Sequence, residues 1–259
     1  MGAKRLASPA SLTGVRTFDL SADLGEGMAS DAALLEVVTS ASVACGFHAG
    51  DETTMAAVCA AAARRGVVVG AHVGYADREG FGRRELGVAA ADLKRQADEQ
   101  IAALAAAAAA AGTSVRYLKP HGALYHRCAV DADAAAAMVA AASAAGLSAL
   151  LGAPGSELLT AAENAGLAAI AEGFADRRYV AAGGLAGRGT AGAVLSLDDA
   201  TQQALTLARG GFVVTADGSQ RAVAARSICV HGDSPSATRV ARAVRDAIEE
   251  AGLTLAPFA

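Results

Sequence analysis

Tryptophan is absent from the 259 residues and aromatic side chains make up only 4% of them, so no platform for stacking nucleobases is expected. Charge is sparse too. Charged residues are 19% of the chain, and a formal net charge of −4 offers no attraction for nucleic acid or an anionic membrane. The four cysteines, Cys45, Cys59, Cys128 and Cys229, stand far apart without a C-x-x-C, which argues against a zinc site built on cysteine pairs. Cys45 and Cys229 fall in apolar runs, where a reduced, buried thiol is expected. There is no G-x-x-x-x-G-K-[ST] loop, and no strand runs into a G-x-G-x-x-G, so neither a Walker nor a Rossmann nucleotide site is expected. The longest apolar tract, 101–111, is mostly alanine and too short for a membrane span. Lys4 and Arg5 are not followed by the apolar core of a signal peptide. These features predict a cytoplasmic protein.

What the chain does have is 53% apolar residues arranged as strand, polar cluster and helix, over and over. The clearest case is 115–126, V-R-Y-L-K-P-H-G-A-L-Y-H. Pro120 keeps Lys119 extended and cannot donate to a ladder, so a strand should end there and present Lys119 and His121. Gly122 frees the backbone to turn. Further strands are predicted over 17–23, 41–46, 67–71, 147–151, 167–171 and 227–230. Helices are predicted over 31–38 (with Ser30 as N-cap), 52–65, 92–111, 131–145, 156–164, 199–208 and 236–251, and a hairpin turning at Asp217-Gly218 within 211–226. Two long Gly- and Arg-rich loops, 73–87 and 172–190, exceed ordinary connections, and the first reads as a lid or substrate loop. Residues 1–16 read as a loose tail and 17–259 as one domain, since no linker divides the chain. About seven strand–helix units predict an α/β fold, a closed or nearly closed parallel β/α barrel, with an open doubly wound sheet as the alternative.

Of the five histidines, His48, His72, His121 and His231 fall at or just beyond predicted strand C-termini. Asp23 and Glu26 follow the first strand, and Glu172 and Asp176 follow the strand before the second long loop. In parallel β/α folds those ends open onto one face, so these residues should converge on one site. Alternatively, Asp23 and Glu26 cap the next helix, and Asp51 and Asp233 are N-caps or first-turn acids. Lys119 is either a solvated cation or a holder of carboxylate or phosphate. Arg83, Arg84, Arg177 and Arg188 lie in the long loops, where arginine suits bidentate anion binding. His126 reads as an ordinary surface histidine.

The motifs D-L-S-A-D-L-G-E-G (19–27), S-A-S-V-A-C-G-F-H-A-G-D (40–51), G-A-H-V-G-Y-A-D (70–77) and G-F-G-R-R (80–84) resemble the LamB/YcsF family. So do L-K-P-H-G-A-L-Y (118–125), E-G-F-A-D-R-R-Y (172–179) and C-V-H-G-D-S-P (229–235). The resemblance implies a distorted, seven-stranded parallel β/α barrel similar to the glycoside hydrolase/deacetylase superfamily. It implies a 5-oxoprolinase activity as well: ATP-dependent hydrolytic opening of the lactam 5-oxo-L-proline to L-glutamate, shared with partner subunits B and C. Family motifs carry over onto Asp23, Glu26, His48, Asp51, His72, Lys119, His121, Glu172, Asp176, Arg177, His231 and Asp233. The chain departs from the family pattern at Ser21-Ala22 (commonly Asn-Cys), Ser42 (Asn), Val73 (Pro) and His126 (often Asn). The two lost amides are donors that can bind a substrate carbonyl.

Under that resemblance Asp23 or His121 is the general base, and Lys119 and Arg177 hold the substrate carboxylate or phosphoryl group. His48, His72 and His231 donate protons or stabilise the oxyanion. Glu26, Glu172 and Asp176 join the catalytic set, and Asp51, Arg177 and Asp233 the substrate-binding one. One alternative is a deacetylase-like hydrolase with a divalent metal on Asp23, His48 and His72, against which stands the missing H-x₃-H pair. Another is a non-catalytic subunit that binds substrate.

Overall fold

The computed structural model describes residues 17–181 and 184–259. The tail expected over 1–16 lies outside the described residues. The apolar runs become strands: β1 (Thr17–Leu24), β2 (Ser40–Ala44), β3 (Val68–Val73), β4 (Val115–Pro120), β5 (Ala149–Gly152) and β6 (Ala168–Phe174). A hairpin of β7 (Phe212–Val214) and β8 (Gln220–Ala222) follows, then β9 (Ser227–His231) and the short β10 (Thr254–Leu255). β1 to β6 and β9 pair in parallel in that order, and β9 returns to β1, closing a seven-stranded barrel. β10 adds beside the start of β1.

The helices are α1 (Asp31–Leu34), α2 (Glu52–Arg65), α3 (Ala90–Ala110), α4 (Gly122–Val130), α5 (Ala132–Ala144), α6 (Glu157–Asn164), α7 (Leu197–Gly210) and α8 (Ala237–Glu250). They pack outside the barrel. In α3 a stripe of Leu93, Ala97, Ile101, Leu104 and Ala108 is buried at helical spacing, while the alanines supply intrinsic helicity. Gln100 shares that stripe and bonds both main-chain polar groups of Gly74 at 3.0 Å, which fixes the chain leaving β3. No helix among the described residues is long and apolar enough to cross a membrane.

The space between strands and helices is apolar, but the barrel interior is layered and mostly polar. Its lower end is closed by Tyr117, Ala149, Leu151 and Ile170, with the Phe258 ring 4.9 Å from that of Tyr117. The Tyr117 ring lies directly against Gly70, where any Cβ would collide with it. Above sits Asp19, accepting from Ser40 and Ser227 at 2.6 Å and from Thr39 at 2.7 Å. Burial pushes the Asp19 carboxyl up to about 6, the three hydroxyls only partly offsetting it. Ser21 meets Ser227 at 3.0 Å and Ser42 meets the Tyr117 hydroxyl at 3.1 Å. Both serines are therefore interior packing groups, and neither lines the cavity described below.

The structure departs from the sequence expectations in a few places. β3 and β6 run further than predicted, so His72 and Glu172 lie within strands and face the barrel interior. Residues 122–130 form α4, which was not predicted; Gly122, at φ 55, lets the chain turn into the helix directly from the strand. Ser30 does not cap α1 with its side chain and instead donates to the Gly232 carbonyl at 3.0 Å. Cys45, Cys59, Cys128 and Cys229 are all buried and unpaired.

Candidate active site at the C-terminal mouth of the barrel

A strand's side chains alternate, so β1 sends Asp19, Ser21 and Asp23 inward in successive layers. Register then places the top layer: Asp23 lies opposite His231 on β9, and His72 lies opposite Lys119 on β4. Glu26, His48, His121, Asp176, Arg177 and Asp233 come from the turns that leave these strands. A cavity of about 750 Å³ opens here, with Asp23, Glu26, His72, Lys119, His121 and His231 among its lining residues. Glu172, at 1% exposure, sits beneath it.

Lys119 Nζ lies 2.8 Å from Asp23 Oδ1 and 2.8 Å from Glu172 Oε1. Burial opposes the ammonium, but Asp23, Cys229 and Glu172 more than compensate and hold its pKa well above the ordinary lysine value. Burial also opposes the Asp23 carboxylate, yet His72 and Lys119 hold its pKa well below the usual range. Glu172 goes the other way: burial, joined by repulsion from Asp23, raises it despite Lys119. The Phe174 ring covers Lys119 at 5.4 Å and stacks on His231 at 5.2 Å.

Beside this array, His48, His72 and His121 pack together, with the His48 and His121 rings stacked at 3.8 Å. Glu26 Oε1 stands 3.7 Å from His48 Nε2, 3.8 Å from His72 Nε2 and 3.5 Å from His121 Nδ1. Burial lowers the pKa of His48 and, more strongly, that of His121, where the neighbouring His72 and His48 add to it, so neutral rings are favoured. Glu26 Oε1 and both His48 nitrogens are buried without a hydrogen-bond partner. One ligand atom from each of Glu26, His48, His72 and His121 lies within 4.8 Å of the others, close enough to share a metal ion. Asp23, which the sequence reading placed with His48 and His72 in a metal set, is outside this group. Its Oδ1 is taken by Lys119, although Oδ2 remains 3.4 Å from His72 Nε2.

Across the cavity, His231 Nδ1 is 3.0 Å from Asp176 Oδ1. Asp233 is gripped by Arg83 and Arg188, each at 2.7 Å. Arg177 is buried and donates to the carbonyls of Ala186 and Ala193, so it braces the second long loop while lining the cavity. Arg84 pairs with Asp77 inside its own loop. Asp51 is exposed, accepts from Thr54 N at 2.8 Å as the N-cap of α2, and does not line the cavity. His126 is exposed at the cavity mouth. The sequence reading missed Phe81 and Phe174, whose rings wall the two halves of the site. Both lie inside the family motifs, close to charged residues.

Across the chain, residues 18–259 match the profile of the LamB/YcsF family. The chain belongs to the LamB/YcsF family. Within the family it is 52% identical over 248 residues to the A subunit of the 5-oxoprolinase of Streptomyces coelicolor, covering 93% of this chain and 99% of that one. A solved structure described as a lactam utilization protein from Thermus thermophilus superposes with a TM-score of 0.85 at 37% identity, over 93% of this chain and all of its own. The catalytic domain of a peptidoglycan N-acetylglucosamine deacetylase from Eubacterium rectale, 11% identical, matches with a TM-score of 0.54 over 98% of this chain and 93% of its own, a likeness of fold alone. The barrel and its relation to deacetylase-type folds are thus as the family resemblance implied.

Proposed function

We propose that this chain is the A subunit of an ATP-dependent 5-oxoprolinase and carries the hydrolytic half of the reaction, opening 5-oxo-L-proline to L-glutamate with subunits B and C. The names of its relatives and the lactam utilization protein of like structure support the substrate class. The observation that carries the reading is the array of Asp23, Lys119 and Glu172 at the cavity floor, facing a rim of Arg83, Arg177 and Arg188.

A five-membered lactam is a stable amide whose opening needs coupling to ATP. Transfer of a phosphoryl group to the amide oxygen makes the ring carbon electrophilic, and the nucleotide is handled through the partner subunits. In this chain Asp23, held ionised beside the cavity, takes the proton as water bonds to that carbon. His121 is the weaker choice for the base. Its Nε2 is 2.9 Å from the Phe81 carbonyl and its Nδ1 2.9 Å from His72. His231, oriented by Asp176, delivers a proton to the ring nitrogen as the C–N bond breaks. The acyl phosphate left behind is hydrolysed by a second water. Lys119 stabilises the anionic oxygen, Glu172 holds Lys119, and the arginine rim receives the substrate carboxylate and the phosphoryl group.

The test is reconstitution of the chain with B and C, ATP and 5-oxoproline. Glutamate and phosphate should appear one to one, and only when the chain is present. Glutamate formed at the same rate by B and C alone would refute the reading.

A further inference from the structure

Glu26, His48, His72 and His121 stand apart from these proton transfers, and two of the rings meet in a way that demands a positive charge. His72 Nδ1 is 3.3 Å from the main-chain carbonyl of Lys119, and His121 Nε2 is 2.9 Å from that of Phe81. A carbonyl oxygen only accepts, so each ring carries a proton on that nitrogen. With one proton on each ring, His72 Nε2 and His121 Nδ1 would both be lone-pair atoms, and they face each other at 2.9 Å. Such a contact is repulsive unless a further proton or a metal cation lies beside both nitrogens.

We propose that Glu26 Oε1, His48 Nε2, His72 Nε2 and His121 Nδ1 bind one divalent transition-metal ion, with zinc the best match. Ligand atoms about 2.0–2.1 Å from a tetrahedral zinc lie about 3.4 Å from one another. Glu26 Oε1 lies 3.5–3.8 Å from the three ring nitrogens, and His72 Nε2 lies 2.9 Å from His121 Nδ1. All four ligand atoms are within 4.8 Å of one another, so their spacing is close to this. Binding would tilt the stacked His48 and His121 rings until both lone pairs aim at the ion. Three imidazoles and one carboxylate favour zinc, cobalt or nickel over magnesium or calcium. The unpartnered Glu26 Oε1 and His48 Nε2, otherwise costly to bury, gain a partner. The Phe81 and Lys119 carbonyls act as the outer acceptors that orient ligating histidines. Phe81 is held at φ 55, a backbone conformation unfavourable for an aromatic residue, with its carbonyl aimed at His121 and its ring 5.9 Å from that of His48. When bound, the ion would supply Lewis-acid chemistry beside Asp23. The assignment itself does not depend on the 5-oxoprolinase reading.

The experiment uses the isolated full chain, stripped with chelator and titrated with Zn²⁺ and, separately, Co²⁺. Expected are one equivalent of metal per chain, the intense visible bands of four-coordinate cobalt, and a Tm that rises with zinc. Glu26→Gln and His121→Gln should each weaken binding about tenfold or more and alter the cobalt spectrum. Asp23→Asn should leave affinity within about threefold, since the four ligands remain. Circular dichroism of metal-free variants shows which remain folded, and if the variants unfold, the wild-type stoichiometry and spectrum decide. Sub-stoichiometric, weak binding by folded wild-type chain would overturn the proposal. So would a cobalt site unaffected by the Glu26 and His121 substitutions but lost with Asp23→Asn. These readouts need neither substrate nor partner subunits, so they stand or fall apart from the proposed activity.

Discussion

Lys119 Nζ lies 2.8 Å from Asp23 Oδ1, although the two residues are 96 positions apart. β1 and β4 are not neighbours in the barrel, so this ion pair crosses its interior. Glu172 meets the same ammonium from β6. One cation thus serves two buried carboxyl groups, and the top of the barrel depends on it.

Lys119→Met leaves Asp23 and Glu172 together without a counter-charge. Removing one partner of a buried ion pair costs about 3–5 kcal/mol, because the remaining charge is left unsolvated. A loss of that order in urea unfolding is expected, partly recovered when Glu172→Gln is added. A midpoint unchanged by Lys119→Met would contradict the array.

Asp19 sets a pH dependence. Its carboxyl is raised from 3.8 to about 6 in the folded chain, so folding favours the protonated form. The stability this contributes is complete below the unfolded value of 3.8 and is lost as pH rises from there through about 6. Roughly two pKa units correspond to about 3 kcal/mol. Asp19→Asn should therefore gain on the wild type by about that amount between pH 4 and 7. Unfolding curves of both proteins across this range check it, and a constant difference would refute it.

Gly70→Ala drives a methyl group into the Tyr117 ring, which has nowhere to go beneath Phe258 and Leu151. Overpacking of this kind typically costs about 1–3 kcal/mol. A several-degree fall in Tm is expected, and an unchanged Tm would show that the lower layer is loose.

Arg188 belongs to the rim. Its pair with Asp233 is partly exposed, and such pairs are worth about 0–1 kcal/mol, so Arg188→Ala should barely move Tm. In the assembled enzyme it should raise KM for 5-oxoproline several-fold with little change in kcat. A KM equal to the wild type's would remove Arg188 from substrate capture.

The sequence made much of this legible, and the parts it hid share a physical cause. Ser40–Ala44 and Ser227–His231 read as buried strands because parallel strands are covered on both faces. The gathering of His72, His121, His231 and Asp23 at one mouth followed from strand ends alone. β3 and β6 were cut short because His72 and Glu172 look like loop residues, whereas this barrel buries a polar layer. α4 stayed hidden because nine residues starting at a glycine carry little helical signal. Whether Asp23 or Glu26 faces the histidines turns on the bend between them, where Gly25 N donates to Asp31 Oδ2 at 2.9 Å. The grip of Arg83 on Asp233, 150 positions away, leaves no local trace in either segment.

Asp23→Asn keeps the shape of the side chain and removes the base. Assembled with subunits B and C and supplied with ATP and 5-oxoproline, the variant complex should form glutamate at least about a hundredfold more slowly than wild type. Its assembly with the partners should be unchanged. Glutamate formed at the wild-type rate would contradict the account at its centre.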